Sequence, residues 1–484
     1  MRTTHRPLTT AALALSVFMA ALEMTVVTTA MPTVVSDLGG IERIAWVFTA
    51  YMLASTITVP IYGKLADLYG RKPVLLFGIA LFLVGSVGSG LSSSMDMLVA
   101  FRTVQGLGAG AMQPTALTVI GDIFSLQERA RVQGVFSAVW GLAGLMGPFT
   151  GGLLVEKLSW HWVFFINVPF GIGAAVVLMI AFHEQIEKKR HALDFGGAAL
   201  LTAGVVALLV SVQGQGRESL LAFALAVAFL SLFVMVERRV AEPVMPLGIF
   251  ALPVITIAAA TGALFSAAMF GATTYVPLFV QGVLHGTPTQ AGGMLTPMLV
   301  CWPVSSVVAG RLISRLGFRP LIVGGFLVSA VGTVMMALVL TPGASMRIAL
   351  IPMAIFGAGM GFASTALLIA VQTSVGWELR GVVTASNMFF RTVGGALGVG
   401  LMGGVLVDRL TRDPSIPVSA ANALLGPDHG RNLSPEVMKT LGGALESGLT
   451  VSFWIIAGTM VAALAISLFF PKVKAGELHP GGGA

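Results

Sequence analysis

The chain has a single cysteine, Cys301, among 484 residues, which excludes an intrachain disulfide framework and a cysteine metal site. Charge is also scarce. Asp, Glu, Lys and Arg make up 10% of the residues against 56% hydrophobic, too little polar surface to clothe a water-soluble globule, so lipid is the expected solvent. The formal charge of +7 would raise the question of nucleic acid, but the basic residues are scattered through short loops and form no stripe. Catalytic signatures are missing too. His183 and Glu184 open HEQIE, which lacks the second histidine of a zinc-protease helix, and the chain has no GxSxG and no Walker lysine loop. Gly106, Gly108 and Gly110 do not complete a dinucleotide fingerprint. No cofactor or metal is therefore expected, and an intramembrane enzyme would lack a nucleophile with its base.

What is present is apolar length. With roughly 20 residues needed to cross a bilayer core, the chain reads as fourteen spanning stretches. The first, near 10 to 31, imitates a signal peptide but continues through Glu23 to Met31, so it is taken as a retained helix. An even count puts both termini on one side. With that side cytoplasmic, 18 of the 28 Lys and Arg fall on cytoplasmic segments and eight outside, the asymmetry that retains positive loops inside. The remaining two, Arg102 and Arg391, lie within spans.

The chain is built twice. GKLADLYGRKP, Gly63 to Pro73, returns in worn form as GRLISRLGFRP, Gly310 to Pro320. Gly106, Gly108 and Gly110 recur 251 residues later as Gly357, Gly359 and Gly361, and Gly144, Gly147 and Gly152 recur as Gly395, Gly398 and Gly403. The expected fold is an all-α polytopic membrane protein: a six-helix half over 1–182, two inserted helices with linkers over 183–246, and a second six-helix half over 247–484. The second half carries an external loop at about 408–448, which reads equally as a small cap or as a mobile segment. Parallel halves of this kind enclose a midplane site that opens to alternate sides.

Ionisable groups in hydrocarbon cost about 2.5 to 3.5 kcal/mol each on insertion scales, so the few present are functional candidates. Glu23 lies roughly 12 Å below the outer end of the first span and Arg102 roughly 10 Å into the fourth, at 1.5 Å per helical residue, so the two can meet. Glu23 reads either as an acid exchanging proton for cargo or as a fixed partner of Arg102. Asp67, Arg71 and Lys72, joined by Asp122, can form an ion-pair group beside the turning glycines Gly63 and Gly70, with Asp67 also placed to meet the N-terminus of the helix beginning near Val383. A topology anchor is the alternative for this segment. In GLAGLMGPFTGG, Gly144, Gly147, Gly151 and Gly152 permit close packing and Pro148 removes a backbone donor, a feature its repeat partner Val399 lacks. The aromatic segment WHWVFFINVPFG, Trp160 to Gly171, reads as an interfacial anchor. Gln113 shares a face with Arg102. Trp140, Phe270, Tyr275 and Met388 line a cavity or face lipid.

GKLADLYGRKP, RTVQGLGAG from Arg102 and GLAGLMGPFTGG resemble the three signature segments of the major facilitator superfamily, the third being associated with antiporters. ALEMTVVTTAMPTV, WVFTAYMLA and WHWVFFINVPFG are similar to the fourteen-helix drug:proton antiporter branch, the EmrB/QacA type. The resemblance covers the whole chain. It implies multidrug efflux across the inner membrane by rocking of the two halves, with the proton as coupling ion and hydrophobic, often cationic, small molecules as cargo. Glu23 takes the place of the family's usual aspartate, Arg102 that of the arginine assisting proton transfer, and Asp67, Arg71 and Asp122 those of the charge group steadying the outward-facing state. Leu68 departs from the usual arginine there, so a weaker latch is expected, and the second half has no acid within its spans, which favours monovalent or neutral substrates. A monomer suffices for this reading. An exporter of one metabolite, lipid or siderophore, or a non-transporting sensor, is the alternative.

Overall fold

A computed structural model describes residues 4–38, 44–184, 194–213, 216–240, 243–284, 288–343, 345–376, 379–410 and 435–472. Most of the external loop, 411–434, falls outside these residues, and so does Ser434, the expected cap of the last helix. The described residues form fifteen α-helices. In the first half they are α1 (Arg6–Leu38), α2 (Ile44–Tyr69), α3 (Arg71–Gly90), α4 (Met95–Ile123), α5 (Leu126–Lys157), the short α6 (Trp162–Phe165) and α7 (Asn167–Ala181). Then come α8 (Phe195–Gln213) and α9 (Gly216–Glu237). The second half has α10 (Pro253–Gly282), α11 (Pro288–Leu316), α12 (Phe318–Val339), α13 (Met346–Thr373), α14 (Arg380–Leu410) and α15 (Pro435–Ser467).

Ten membrane-crossing candidates satisfy both length and apolarity, one of them formed by α6 and α7 together; α2, α4, α5 and the shorter α8 are not among them. The protein is a multi-pass membrane protein. Large apolar side chains stand on its outer surface, and α9 exposes Leu220, Leu221, Phe223 and Val227 along its length, an apolar surface that water would not tolerate.

The repeat in the sequence is a repeat in packing. In the first half α1 packs on α5 and α7, and α4 on α2 and α3. The second half repeats this, with α10 on α14 and α15, and α13 on α11 and α12. The halves meet through a swapped pair, α5 on α11 and α14 on α2. The inserted α8 packs on α9, α14 and α2, against both halves. Gly70 and Gly317, at matching positions within the two copies of the basic turn, have φ of 100° and 76°, a conformation that favours glycine and lets a new helix start at once.

Close packing within each half rests on the recurring glycines. A side chain at Gly108 would overlap the Phe82 backbone nitrogen, and one at Gly359 would overlap that of Ser329. Likewise Gly85 lies against Gln105 and Gly332 against Phe356, two contacts that the repeat maps onto each other. We expect Gly108→Val and Gly359→Val each to cost on the order of 1 to 3 kcal/mol by overpacking, seen as a lowered Tm in detergent. Gly458→Ala, with nothing within 4 Å of its new methyl group, should leave Tm unchanged or raise it. Equal melting of all three would contradict this packing.

Candidate functional site

Two charges 79 positions apart in the sequence meet inside the first half. Arg102 on α4 donates to Glu23 Oε1 on α1 at 2.7 Å, and both side chains are 1% exposed. Each is satisfied on its other sides. Arg102 also donates to Gln105 Oε1 at 2.7 Å and to the Val47 carbonyl at 3.2 Å, while its guanidinium lies 4.2 Å from the centre of the Tyr51 ring. Glu23 Oε2 accepts from Asn167 at 2.6 Å, and Ser86 accepts from both Asn167 and Gln105 while donating to the Phe164 carbonyl. Burial of an ion pair is tolerable only when its remaining donors and acceptors are met in this way. Asn167 belongs to the segment read from sequence as an aromatic anchor. Its amide in an otherwise apolar run was the available signal of a second role.

A cavity lies between the halves. Of the side chains expected there, Gln113, Trp140, Phe270 and Met388 line it. Tyr275 does not, and donates its hydroxyl to the Val399 carbonyl at 2.7 Å. Glu23 is not in the wall either, although its neighbours Ala20 and Met24 are. The wall also includes Arg391 from α14 and Trp302 from α11, residues that the sequence reading gave no role.

At the end of the bundle carrying Gly63 to Pro73, charges link the halves. Arg71, fully buried, reaches Asp67 at 2.8 Å and Asp122 at 3.2 Å. Asp67 in turn accepts from the backbone N–H groups of Gly381 at 3.2 Å and Val382 at 2.8 Å, at the N-terminus of α14, where the helix dipole favours an anion. Asp122 also takes Arg380 at 2.8 Å, and Gln372 donates to the Leu117 carbonyl. The glycines are steric here: a side chain on Gly63 would overlap Ala385, and one on Gly381 would overlap Asp67. Three of the four residues expected in the ion-pair group come together. Lys72 instead donates to the carbonyls of Met179 and Phe182, at 2.8 and 2.6 Å, closing the C-terminal turn of α7.

Glu184, like Arg380, is a member that sequence reasoning missed. Its two oxygens accept from the N–H groups of Arg71 and Lys72 at 3.1 and 3.0 Å, capping α3 from 113 residues away. Burial pushes its carboxyl above the ordinary glutamate range, while those N–H groups and Arg71 pull it back. In the glycine-rich α5 segment, a side chain on Gly147 would overlap Thr25 of α1, a methyl group on Gly144 would come no nearer than 4.0 Å to Leu299 of α11, and Gly151 is buried. Gly152 is exposed with nothing within 4 Å. α5 continues as helix through position 148, and the Pro148 side chain is outside the described residues.

Comparison with known proteins places this geometry. The sequence model of the Major Facilitator Superfamily matches residues 13–399. The multidrug transporter protein MdtP of Bacillus subtilis is 38% identical over 422 residues, covering 85% of this chain and 78% of the relative. Multidrug resistance protein 3 of the same organism is 31% identical over 484 residues, covering 96% and 94%. The human organic anion transporter MFSD10 shares the fold, with a TM-score of 0.63 at 14% identity over 96% of this chain and all of that one. The proton:xylose symporter XylE shares it equally, at the same score and identity, over 95% of its own length.

Hydrogen bonds to a charged group contribute about 1.5 to 3 kcal/mol, so Asp67→Asn should shift the balance between closed and open forms of this end by roughly tenfold or more. Spin labels on α2 and α14 should report a longer, broader distance distribution. An unchanged distribution would show that the Asp67 contact does not hold the halves together.

Proposed function

Because the chain belongs to the Major Facilitator Superfamily, we propose that it is a proton-coupled antiporter of the fourteen-span drug-exporting branch, moving hydrophobic small molecules outward by alternating access. Its relatives are named as multidrug transporters, and small-molecule export rather than catalysis is the corresponding reading for this chain. The end of the bundle bearing Arg71 is taken as cytoplasmic, with both termini on that side of an inner membrane. The contacts from Asp67 to α14 and from Arg380 to Asp122 then close the cytoplasmic side.

The observation that carries the coupling is the buried Glu23–Arg102 pair beside the central cavity. A proton arriving at Glu23 cancels the charge that holds Arg102, while Asn167 can still bond the neutral acid. Arg102 then loses its closest anionic contact and keeps Gln105, the Val47 carbonyl and the Tyr51 ring, so the tie between α1 and α4 slackens. Because α1 lines the cavity at Ala20 and Met24, one turn of proton traffic at Glu23 is transmitted to the cargo site. A lipophilic cation would find its countercharge only in a state where Glu23 has parted from Arg102.

Glu23→Gln should reduce pH-driven export in proteoliposomes to near background; because it leaves the buried Arg102 without its anion it should also lower Tm, so export is compared per amount of folded, monodisperse protein. Undiminished export by this variant removes Glu23 from the mechanism. Export that ignores an imposed pH gradient in the parent removes proton coupling.

A further inference from the structure

Arg391 lies eleven residues into α14, about 16 Å from the start of that helix at 1.5 Å per residue, and so near the middle of a hydrocarbon core about 30 Å thick. At that depth its side chain cannot reach either interface, and a lone cation there is costly. Among the described residues no carboxylate pairs with Arg391, and its one hydrogen bond is a long contact of 3.5 Å to Ser266. Its guanidinium rests 5.1 Å from the centre of the Phe265 ring, and its stem crosses α10 at Gly262, where a side chain would press on it.

Two further donors belong to the same wall. Trp140 sits at the position that the repeat maps onto Arg391, 251 residues earlier, and both line the central cavity. The Trp140 indole N–H and the Ser137 hydroxyl, one turn away, are buried without a hydrogen-bond partner among the described residues. Indole and guanidinium groups donate and cannot accept. Arg391 is the only charged residue in the described wall, and Glu23, the acid buried in α1 behind Ala20 and Met24, is committed to Arg102. The cavity therefore has surplus donors, one positive charge and no anion of its own, within apolar and aromatic surfaces that include Phe270 and Trp302.

We propose that Arg391 is the anion-receiving subsite of the cargo cavity, and that the preferred cargo is an amphiphile with an aromatic or aliphatic body and one acidic group, a carboxylate or sulfonate. This rests on the export reading above and narrows its substrate class. The acidic oxygens accept from the guanidinium, and the apolar body packs on the rings, so charge is neutralised as the cargo is desolvated. An anion leaving and a proton entering both move charge in the direction favoured by an inside-negative membrane potential.

The test uses the full-length protein in phosphatidylcholine nanodiscs, with empty nanodiscs as blank. The probes are anilinonaphthalene sulfonate, its uncharged counterpart phenylnaphthylamine, and tetraphenylphosphonium as a cation. The parent should bind the sulfonate more tightly than either other probe. Arg391→Gln should weaken sulfonate binding roughly tenfold to a hundredfold while phenylnaphthylamine binding stays within about twofold. Arg391→Lys, which keeps the charge, should remain within about threefold of the parent for the sulfonate, and a normal Tm for both variants shows that they fold. The same sulfonate-to-neutral ratio in Arg391→Gln as in the parent, or tighter binding of tetraphenylphosphonium by the parent, overturns the proposal. Failure of proton coupling would appear separately, as pH-independent export, with the binding ratio intact.

Discussion

Glu23 and Arg102 hold each other in a region where neither could stay charged alone. Hydrocarbon offers no solvation, so each charge depends on the other and on the ring of amide, hydroxyl and carbonyl groups from Gln105, Asn167, Ser86 and Val47. That requirement ties α1, α2, α3, α4 and α7 into one body. It also explains why the pair adjoins the cavity without opening into it: full hydrogen bonding needs a dry, closely packed surround, and the glycines of α4 supply it by letting α2 and α3 approach.

The second half copies this architecture without its charge. Close contacts at matching glycines map Tyr51 onto Met298 and Gln105 onto Phe356, and the same register maps Arg102 onto Met353. All three replacements are fully buried and apolar. The packing of the ancestral unit therefore survives where its polar network does not, and the buried ion pair belongs to the first half. The second half contributes a different charge to the midplane, Arg391, at the position where the first half has Trp140. One half holds a closed ion pair and the other an open guanidinium, so the pseudo-symmetric scaffold is electrostatically lopsided around its cavity.

At the Arg71 end the same economy of charge joins the halves. Asp67 is shared between the guanidinium of Arg71 and the N-terminus of α14, a site of partial positive charge that requires no basic residue. The contact is short, and the donors it uses are backbone N–H groups that a helix end leaves without intrahelical partners. Leu68, next to Asp67 in the sequence, is buried, and Arg380 from the other half supplies a second cation to Asp122.

Class, duplication and the main charged residues were legible along the chain, because lipid imposes apolar length, basic turns and small-residue spacing locally, within one or two helices. The two copies of the basic turn share their glycines and terminal proline, and the meeting of Glu23 with Arg102 follows from comparable depths. Which partners complete a site was not legible. Glu184 reaches Arg71 across 113 residues, Asn167 reaches Glu23 across 144, and Asp67 reaches Val382 across 315. Nor could sequence tell that Lys72 bonds carbonyls, that Tyr275 leaves the cavity for Val399, or that Arg391 meets no acid among the described residues. A hydropathy pattern states that a helix crosses the bilayer, whereas the rotation of each helix about its own axis, which selects the side chains that meet, is settled only when the whole bundle packs.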